Sequence, residues 1–547
     1  MPVVLDADGW SDITPAPATG DRYIYVSAAG SDSNDGLSTG APKATVGAGV
    51  GLLRSGTSDQ CLLRRGDSFT ATVTHSKSGR DAANPMVVLG AYGTTSNARP
   101  IVTGGVNLRG GNYLAFQSID FRNNGNVSGG IFAYHSTPGL LGTGVLIEDC
   151  VARDFYQAFI LTSGTGLPGG CYFNDVTFRR CTALDSDGDH GQGLFADGYG
   201  GQLTLDGFTA INCGFPDGLS HGIYIDKAVA TASTPIANRI LIWPAYPVAS
   251  LSQTSEGFKS RQGVVGSDWH IAYCSLGFAI GTTNGDGSGS FTALGTIQCK
   301  IDSPIVTYSC GRGSTSDYGY GGWLLGIFGT GNYITNPGFV HSLSTSSDRA
   351  CLSFIRWGTQ TGGQVRNVAV NGMVAYNAGK FVMGDLPANY SGLTWSNNKV
   401  RMTSSFAPLM QHIQDTSTTA IFTERQNNSV YSAFVPATSW VSAPSGNTLT
   451  AYGSVNAGSA GAGLPDPART YTGYLATKGV TVADEAEAHA HIRTKLIAQR
   501  RYDWDDDYTT TSMGDWFRAG LGIPTLGDVV TPTVTAPSYY LETIGAR

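Results

Sequence analysis

The sequence predicts an all-β chain wound into a right-handed single-stranded parallel β-helix, with an N-terminal cap and a short C-terminal helical cap. Three observations carry this expectation. The chain is too long for one compact core, its composition is poor in charge and rich in turn formers, and two strand types recur about every 31 residues.

The chain has 547 residues, whereas single compact cores stop growing at roughly 250–300. Charged residues make up 14%, against about 25% in an average soluble protein. There are 74 glycines, and Ser, Thr and Asn are abundant, which suits short strands joined by many tight turns. Long helices need the Ala, Leu, Glu and Lys mix that is missing here. The net charge of −7 gives no basic groove, so nucleic acid is excluded as a partner. No run of about 20 apolar residues is present, so no membrane insertion is expected. Residues 1–8, Met-Pro-Val-Val-Leu-Asp-Ala-Asp, have neither a basic nor an apolar signal region, so no signal peptide is expected and export would need another route, such as lysis. The nine cysteines are odd in number and form no CxxC pair. Buried thiols are expected, without a disulfide framework or a zinc site.

The repeat shows first at cysteines. Val145–Cys150, Val176–Cys181, Phe208–Cys213 and Trp269–Cys274 each read as a half-buried strand ending in Cys. Cys150 to Cys181 is 31 residues and Cys181 to Cys213 is 32, with Asn238–Trp243 filling the gap before Cys274. One inward cysteine ladder is therefore expected. A second strand follows each of these: Phe159–Thr162, Leu194–Asp197, Ile223–Asp226, Phe258–Arg261 and Phe278–Gly281, most with Gly just before it. A coil of this kind cannot bury its inner face alone, but a stack of coils shares one core.

The chain is expected to divide into an N-terminal arm or adaptor (1–22), an N-terminal cap with the first coils (23–110), a β-helix body carrying the candidate site (111–435), and a linker, helix and C-terminal tail (436–547). Longer excursions are expected near 284–290 and 311–322. The helix is expected over Val482–Arg501, with Asp484, Glu485 and Glu487 early and Arg500 and Arg501 late, as the macrodipole favours.

The segment Tyr25-Val26-Ser27, Gly30, Asp32, Asn34-Asp35-Gly36-Leu37-Ser38, Pro42 and Thr45 resembles the start of pectate-lyase-like right-handed parallel β-helix proteins. Leu62–Phe69, Gly90–Gly93 and Pro100–Val102 continue the likeness, and Asp515–Gly520 resembles an ending found in the same class. Members include pectate, alginate and chondroitin lyases, glycoside hydrolases and phage tailspikes. The resemblance, with the missing signal and free cysteines, implies a virion-spike-like homotrimer. It would be made in the cytoplasm, carried on a virion or phage-like particle through the N-terminal arm, and bind a bacterial capsule or lipopolysaccharide and depolymerise it by hydrolysis. The alternatives are a free polysaccharide lyase and a non-catalytic receptor-binding fibre.

The repeat also gives a register. With Phe159, Leu194, Ile223, Phe258 and Phe278 inward, Ile160, Phe195, Tyr224, Lys259 and Ala279 form one outward column. Thr162, Asp197, Asp226, Arg261 and Gly281 form a second, and Gln192, His221 and Glu256 meet at the entry turn. Catalysis is expected from Asp197, Asp226, Glu256, Lys259 and Arg261, with substrate contacts from Phe195, Tyr224, His221 and Gln192. A hydrolase would divide acid and base or nucleophile between Asp197 and Asp226, with Glu256 able to replace either. A lyase would take a proton on Lys259, His221 or Tyr224 while Arg261 neutralises a uronate carboxylate. The bland alternative is a surface ion pair between Asp226 and Arg261. No cofactor is required and no metal ligand is assigned; Ca²⁺ is the ion that Asp197 and Asp226 could hold in a lyase. Asp185–His190 also looks like a Ca²⁺ loop but lacks the EF-hand Glu, which favours a solvated turn. Trp323, Trp357 and Trp395 are further candidate sugar platforms, with packing as the default role of each.

Overall fold

The computed structural model describes residues 4–11, 20–80, 86–125, 129–133, 139–162, 171–186, 191–214, 221–226, 232–244, 256–274, 276–281, 298–308, 322–325, 327, 331–340, 350–354, 365–378, 380–384, 390–391, 393–402, 410–412, 424–426, 429–432, 448–451 and 469–527. Within them the chain is a parallel β-solenoid with few helices. One sheet has 26 strands and a second has 12. Each strand of the smaller sheet pairs with its counterparts one coil before and one coil after, in parallel. The apolar faces of both sheets close on one continuous core running from Ile24 to Trp395. That shared core is what a single coil cannot build.

A left-handed backbone turn recurs in the larger sheet. Asp149, Arg180, Gly207, Arg239, Asp268, Ser303, Asn336, Gly372 and Asn397 all have positive φ. Asp, Asn and Gly tolerate that conformation and Arg does not favour it. Its cost is offset by ladder bonds: the N–H groups of Asp149, Arg180 and Gly207 donate to Arg179, Asp206 and Asn238 on the next coil.

The single cysteine ladder is corrected here. Val151 pairs with Thr182 and Thr182 with Thr209, so Cys150 and Cys181 align with Phe208 rather than with Cys213. Ile211 pairs with Trp243, which puts Cys213 and Cys274 at a later corner of the coil. All four are buried free thiols, but they belong to two columns. The coil between Thr182 and Thr209 is shorter than its neighbours, and the nearly equal cysteine spacing concealed this.

Gly193, Gly222 and Gly257 open successive strands of the smaller sheet. A Cβ there would meet Ala183 and Ala210, Ile242, or Ile271 across the core. The lack of side chains lets this sheet press closely on the larger one.

Helix α1 (Val46–Gly51) is capped by Thr45 and packs Val46, Gly49 and Val50 towards Ile24, Val26 and Cys61. Helices α2 (Tyr471–Thr477), α3 (Glu485–Ala498) and α4 (Thr510–Leu521) follow the coils. The sequence anticipated α3, whose N-cap is Asp484, but not α2 or α4. It also placed the helical segment over an end of the stack. The helices instead lie along the flank of the larger sheet. Arg500 donates to the Ser96 and Asn97 carbonyls, Thr510 to the Arg239 carbonyl, and Arg518 to Asp268 and the Ser303 carbonyl. Outward residues Ile211, Leu241, Trp243, Tyr273 and Ile305 form an apolar stripe that Tyr471, Leu475, Ile492 and Phe517 cover. An uncovered stripe of that size would be a large exposed apolar patch.

The stack also continues past 435: Ser429–Ser432 still pairs with Thr448–Ala451. The expected excursions at 284–290 and 311–321, most of the linker and the tail from 528 lie outside the described residues. Residues 4–11 of the N-terminal arm pack against the flank, with Ser11 donating to Glu148 and Asp6 accepting from Arg501.

Candidate functional site

The expected outward column is present. Phe195 pairs with Tyr224, Tyr224 with Lys259, and Lys259 with Ala279. Their inward neighbours Leu194, Ile223, Phe258 and Phe278 are buried in the core. Thr162 pairs with Asp197, and the Asp226 N–H donates to the carbonyl of Ala196, which brings Asp226 beside Asp197 on the next coil. The Arg261 N–H bonds the Ile225 carbonyl in the same way. Residues about 30 apart in sequence thus become neighbours, because parallel strands on adjacent coils lie about 4.8 Å apart.

Tyr224, Asp226 and Arg261 form one hydrogen-bonded group. The Tyr224 hydroxyl donates to Asp226 Oδ1 at 3.1 Å, and Arg261 Nη1 reaches the same oxygen at 2.7 Å. The side chains of Arg261 and Asp226 are 22% and 13% exposed, so water still reaches the pair and the ion pair alone is worth little stability. Gln262, which the sequence reading did not single out, donates from Nε2 to the Asp226 carbonyl at 2.8 Å. It sits in the turn after the strand, where alternation says nothing about direction.

The role expected of the Tyr224 ring changes. His221 stacks on it at 4.6 Å, while Lys259 Nζ and the Arg261 guanidinium lie 5.1 and 5.4 Å from its centroid. Tyr224 is only 9% exposed, so its ring is not an open sugar platform. Burial first, and then the Asp226 carboxylate, push its phenol well above the ordinary range, with Arg261 opposing. Tyr224 therefore holds its proton at neutral pH and donates it to Asp226. Phe195, 5.6 Å away and tilted by 41°, is the partly exposed ring of the pair.

His221 and Gln192 also differ from expectation. They do align at the entry turn, with Gln157 and Glu256. Both are buried, however, and Gln192 accepts from Gln157 Nε2. His221 supports the underside of Tyr224 instead of facing a substrate. Glu256 holds its place in the strand, but its side chain lies outside the described residues. Asp197 is 9% exposed. Trp323 pairs with Ala279 on the next coil, but its side chain lies outside the described residues. Trp395 is fully buried in the core, and Trp357 lies outside the described residues.

Among the described residues no three His, Cys, Asp or Glu side chains cluster to hold a metal ion. Asp185, which opened the candidate Ca²⁺ loop, accepts from Arg493 and Asn212; residues 187–190 lie outside the described set. Among the described residues no helix is long and apolar enough to cross a membrane.

No protein-family model and no curated protein matches the sequence. Among solved structures there are matches at low identity. A GH136 lacto-N-biosidase from Eubacterium ramulus is 13% identical, covering 79% of this chain and 68% of its own, with a TM-score of 0.36. A mannuronic acid specific polysaccharide family 6 lyase from human gut microbiota is 12% identical over 74% and 87%, with a TM-score of 0.42. Pectate lyase Pel9A is 13% identical over 60% and 78%, with a TM-score of 0.33.

Proposed function

We propose that this protein binds a polysaccharide across the outer face of its smaller sheet and hydrolyses it there. The observation that carries the reading is the convergence of Phe195, Tyr224, Asp226, Lys259 and Arg261 from three coils, with Asp197 beside them. A partly exposed aromatic ring suits the apolar face of a pyranose, and two carboxylates one coil apart suit acid and base work at a glycosidic bond.

In this reading Asp226 is the charged partner, oriented by Tyr224 and Arg261 through Oδ1. It activates water or supports the developing positive charge on the sugar. Asp197 passes a proton to the leaving oxygen, and water completes the cleavage. Lys259 hydrogen-bonds sugar hydroxyls or a charged substituent. The lyase reading has less support. Arg261 already spends its charge on Asp226, and Tyr224, with its raised pKa, is a poor base. Bound Ca²⁺ between Asp197 and Asp226 belongs to that lyase reading.

The finer setting rests on the sequence resemblance: a homotrimeric spike on a virion or phage-like particle, directed at capsule or lipopolysaccharide. The test is to incubate the purified chain with a panel of capsular and lipopolysaccharide glycans. Reducing ends without new absorbance from unsaturated uronates support hydrolysis. Unsaturated products turn the reading to a lyase, and tight binding without any product turns it to an adhesin. Mass measurement in solution tests the trimer, and a monomer removes the spike setting.

A further inference from the structure

A cavity of about 370 Å³ lies on the other sheet, enclosed by residues 8–10, the flank of the larger sheet and the C-terminal segment. We infer that it is a second binding site, which takes a singly charged, hydroxyl-rich ligand: a carboxylate-bearing sugar unit.

Arg180 is the centre of the argument. Its backbone is left-handed, with φ of 47°, at the corner where the chain turns from one strand to the next. Its guanidinium lies 4.0 Å from the Trp10 ring centroid and 4.9 Å from that of Trp504. Nη2 donates to the Asp8 carbonyl at 2.8 Å, whereas Nη1 is buried without a hydrogen-bond partner. A buried guanidinium donor left unsatisfied is costly, and a carboxylate is the acceptor that matches its geometry. Burial and then the neighbouring Arg239 push Arg180 down to about 10, with Asp206 and Glu148 opposing.

The nearby carboxylates are engaged elsewhere. Asp206 takes Arg239 at 2.6 Å and Arg179 at 3.5 Å. Glu148 accepts from Ser11 and lies 3.6 Å from Arg179. Asp8 and Asp506 line the cavity and oppose multiply charged anions such as phosphate. Thr182 and Thr209, paired on adjacent coils, also line it and supply hydroxyls one strand spacing apart. Net attraction for one negative charge, a row of hydroxyls and indole surfaces together select an acidic sugar over a neutral sugar or a dianion.

The test is calorimetric titration of the full chain with sodium glucuronate, glucose and sulfate, each also followed by tryptophan fluorescence. Glucuronate is expected to saturate one site per chain and to bind at least about tenfold tighter than glucose or sulfate. Arg180→Gln should weaken glucuronate by about tenfold or more and leave polysaccharide cleavage unchanged, whereas binding should survive in Arg261→Gln. That last comparison separates this cavity from the site on the smaller sheet. No saturable signal with glucuronate, equal affinity for glucose or sulfate, or unaltered binding in Arg180→Gln overturns the inference. If Arg180→Gln does not fold, the three-ligand comparison on the unaltered chain decides alone.

Discussion

The Tyr224 hydroxyl donates to Asp226 Oδ1 at 3.1 Å, although the two residues are only two apart, Tyr224 within its strand and Asp226 just past the strand's end. Alternation places both on the outer face, and His221 beneath the ring fixes its direction. The same oxygen takes Arg261 from the next coil. The site therefore combines a local strand contact with a contact across coils, and each part can be removed separately.

Asp226→Asn keeps the shape of the side chain and removes its charge. Cleavage should fall by about 10²–10⁴-fold, the usual worth of a positioned acid–base group, while the melting temperature and glycan affinity stay nearly constant. Reducing-sugar release and thermal melts read the two effects. An active variant removes Asp226 from the mechanism.

Tyr224→Phe deletes the donor and retains the ring. Because the hydroxyl orients Asp226, the turnover number should fall by about tenfold, the worth of roughly one hydrogen bond to a charged group, with little change in KM. Folding should persist, since His221 can still stack on the ring. A change confined to KM would assign Tyr224 to substrate binding instead.

Gly257→Ala tests the glycine column. The added Cβ would run into the Gly277 carbonyl oxygen on the next coil and lie 2.9 Å from Ile271. Relief requires the neighbouring coil to shift along the smaller sheet and Ile271 to give way across the core, which costs about 1–3 kcal/mol or more. Urea unfolding should show the loss. An unchanged midpoint would mean that the column is not tightly packed.

Arg518→Met should loosen the helical segment from the flank. Arg518 is fully buried and bonds Asp268 at 2.7 Å, Asp515 at 2.9 Å and the Ser303 carbonyl at 2.8 Å. Its removal leaves Asp268 buried without its cation, a loss of about 3–5 kcal/mol. Hydrogen exchange over residues 469–527 should rise well before exchange in the coils does.

Acid should have a similar effect on the segment. Burial pushes His270 down to about 3, where it meets Tyr471, and pushes His489 down to about 4, where it meets the Pro244 carbonyl. Both folded values lie below the ordinary 6.5, so the unfolded chain takes up protons first as pH falls. Their contribution is full above about 6.5 and is lost towards 4 and 3, at up to about 1.4 kcal/mol per histidine per pH unit. Exchange or proteolysis of 469–527 at pH 7 and pH 4.5 measures this. Equal protection at both values would contradict it.

The solenoid and the outer column of the smaller sheet are legible in the order of the residues. Alternation within a strand is a local property, and Phe195, Tyr224 and Lys259 follow from it once the strands are found, although the coils between them differ in length. The cysteine pattern misled because one coil is shorter, and Cys213 looks like Cys181 although it is paired elsewhere. Packing between coils sets His221 under Tyr224 and closes Arg261 on Asp226. Tertiary packing alone places the C-terminal helices along the flank, where they enclose the cavity around Arg180. The physical reason is that strand period fixes which face a residue takes. Which partner it meets there depends on side-chain packing between segments hundreds of residues apart, as between Arg99 and Gln499, and no local pattern encodes that.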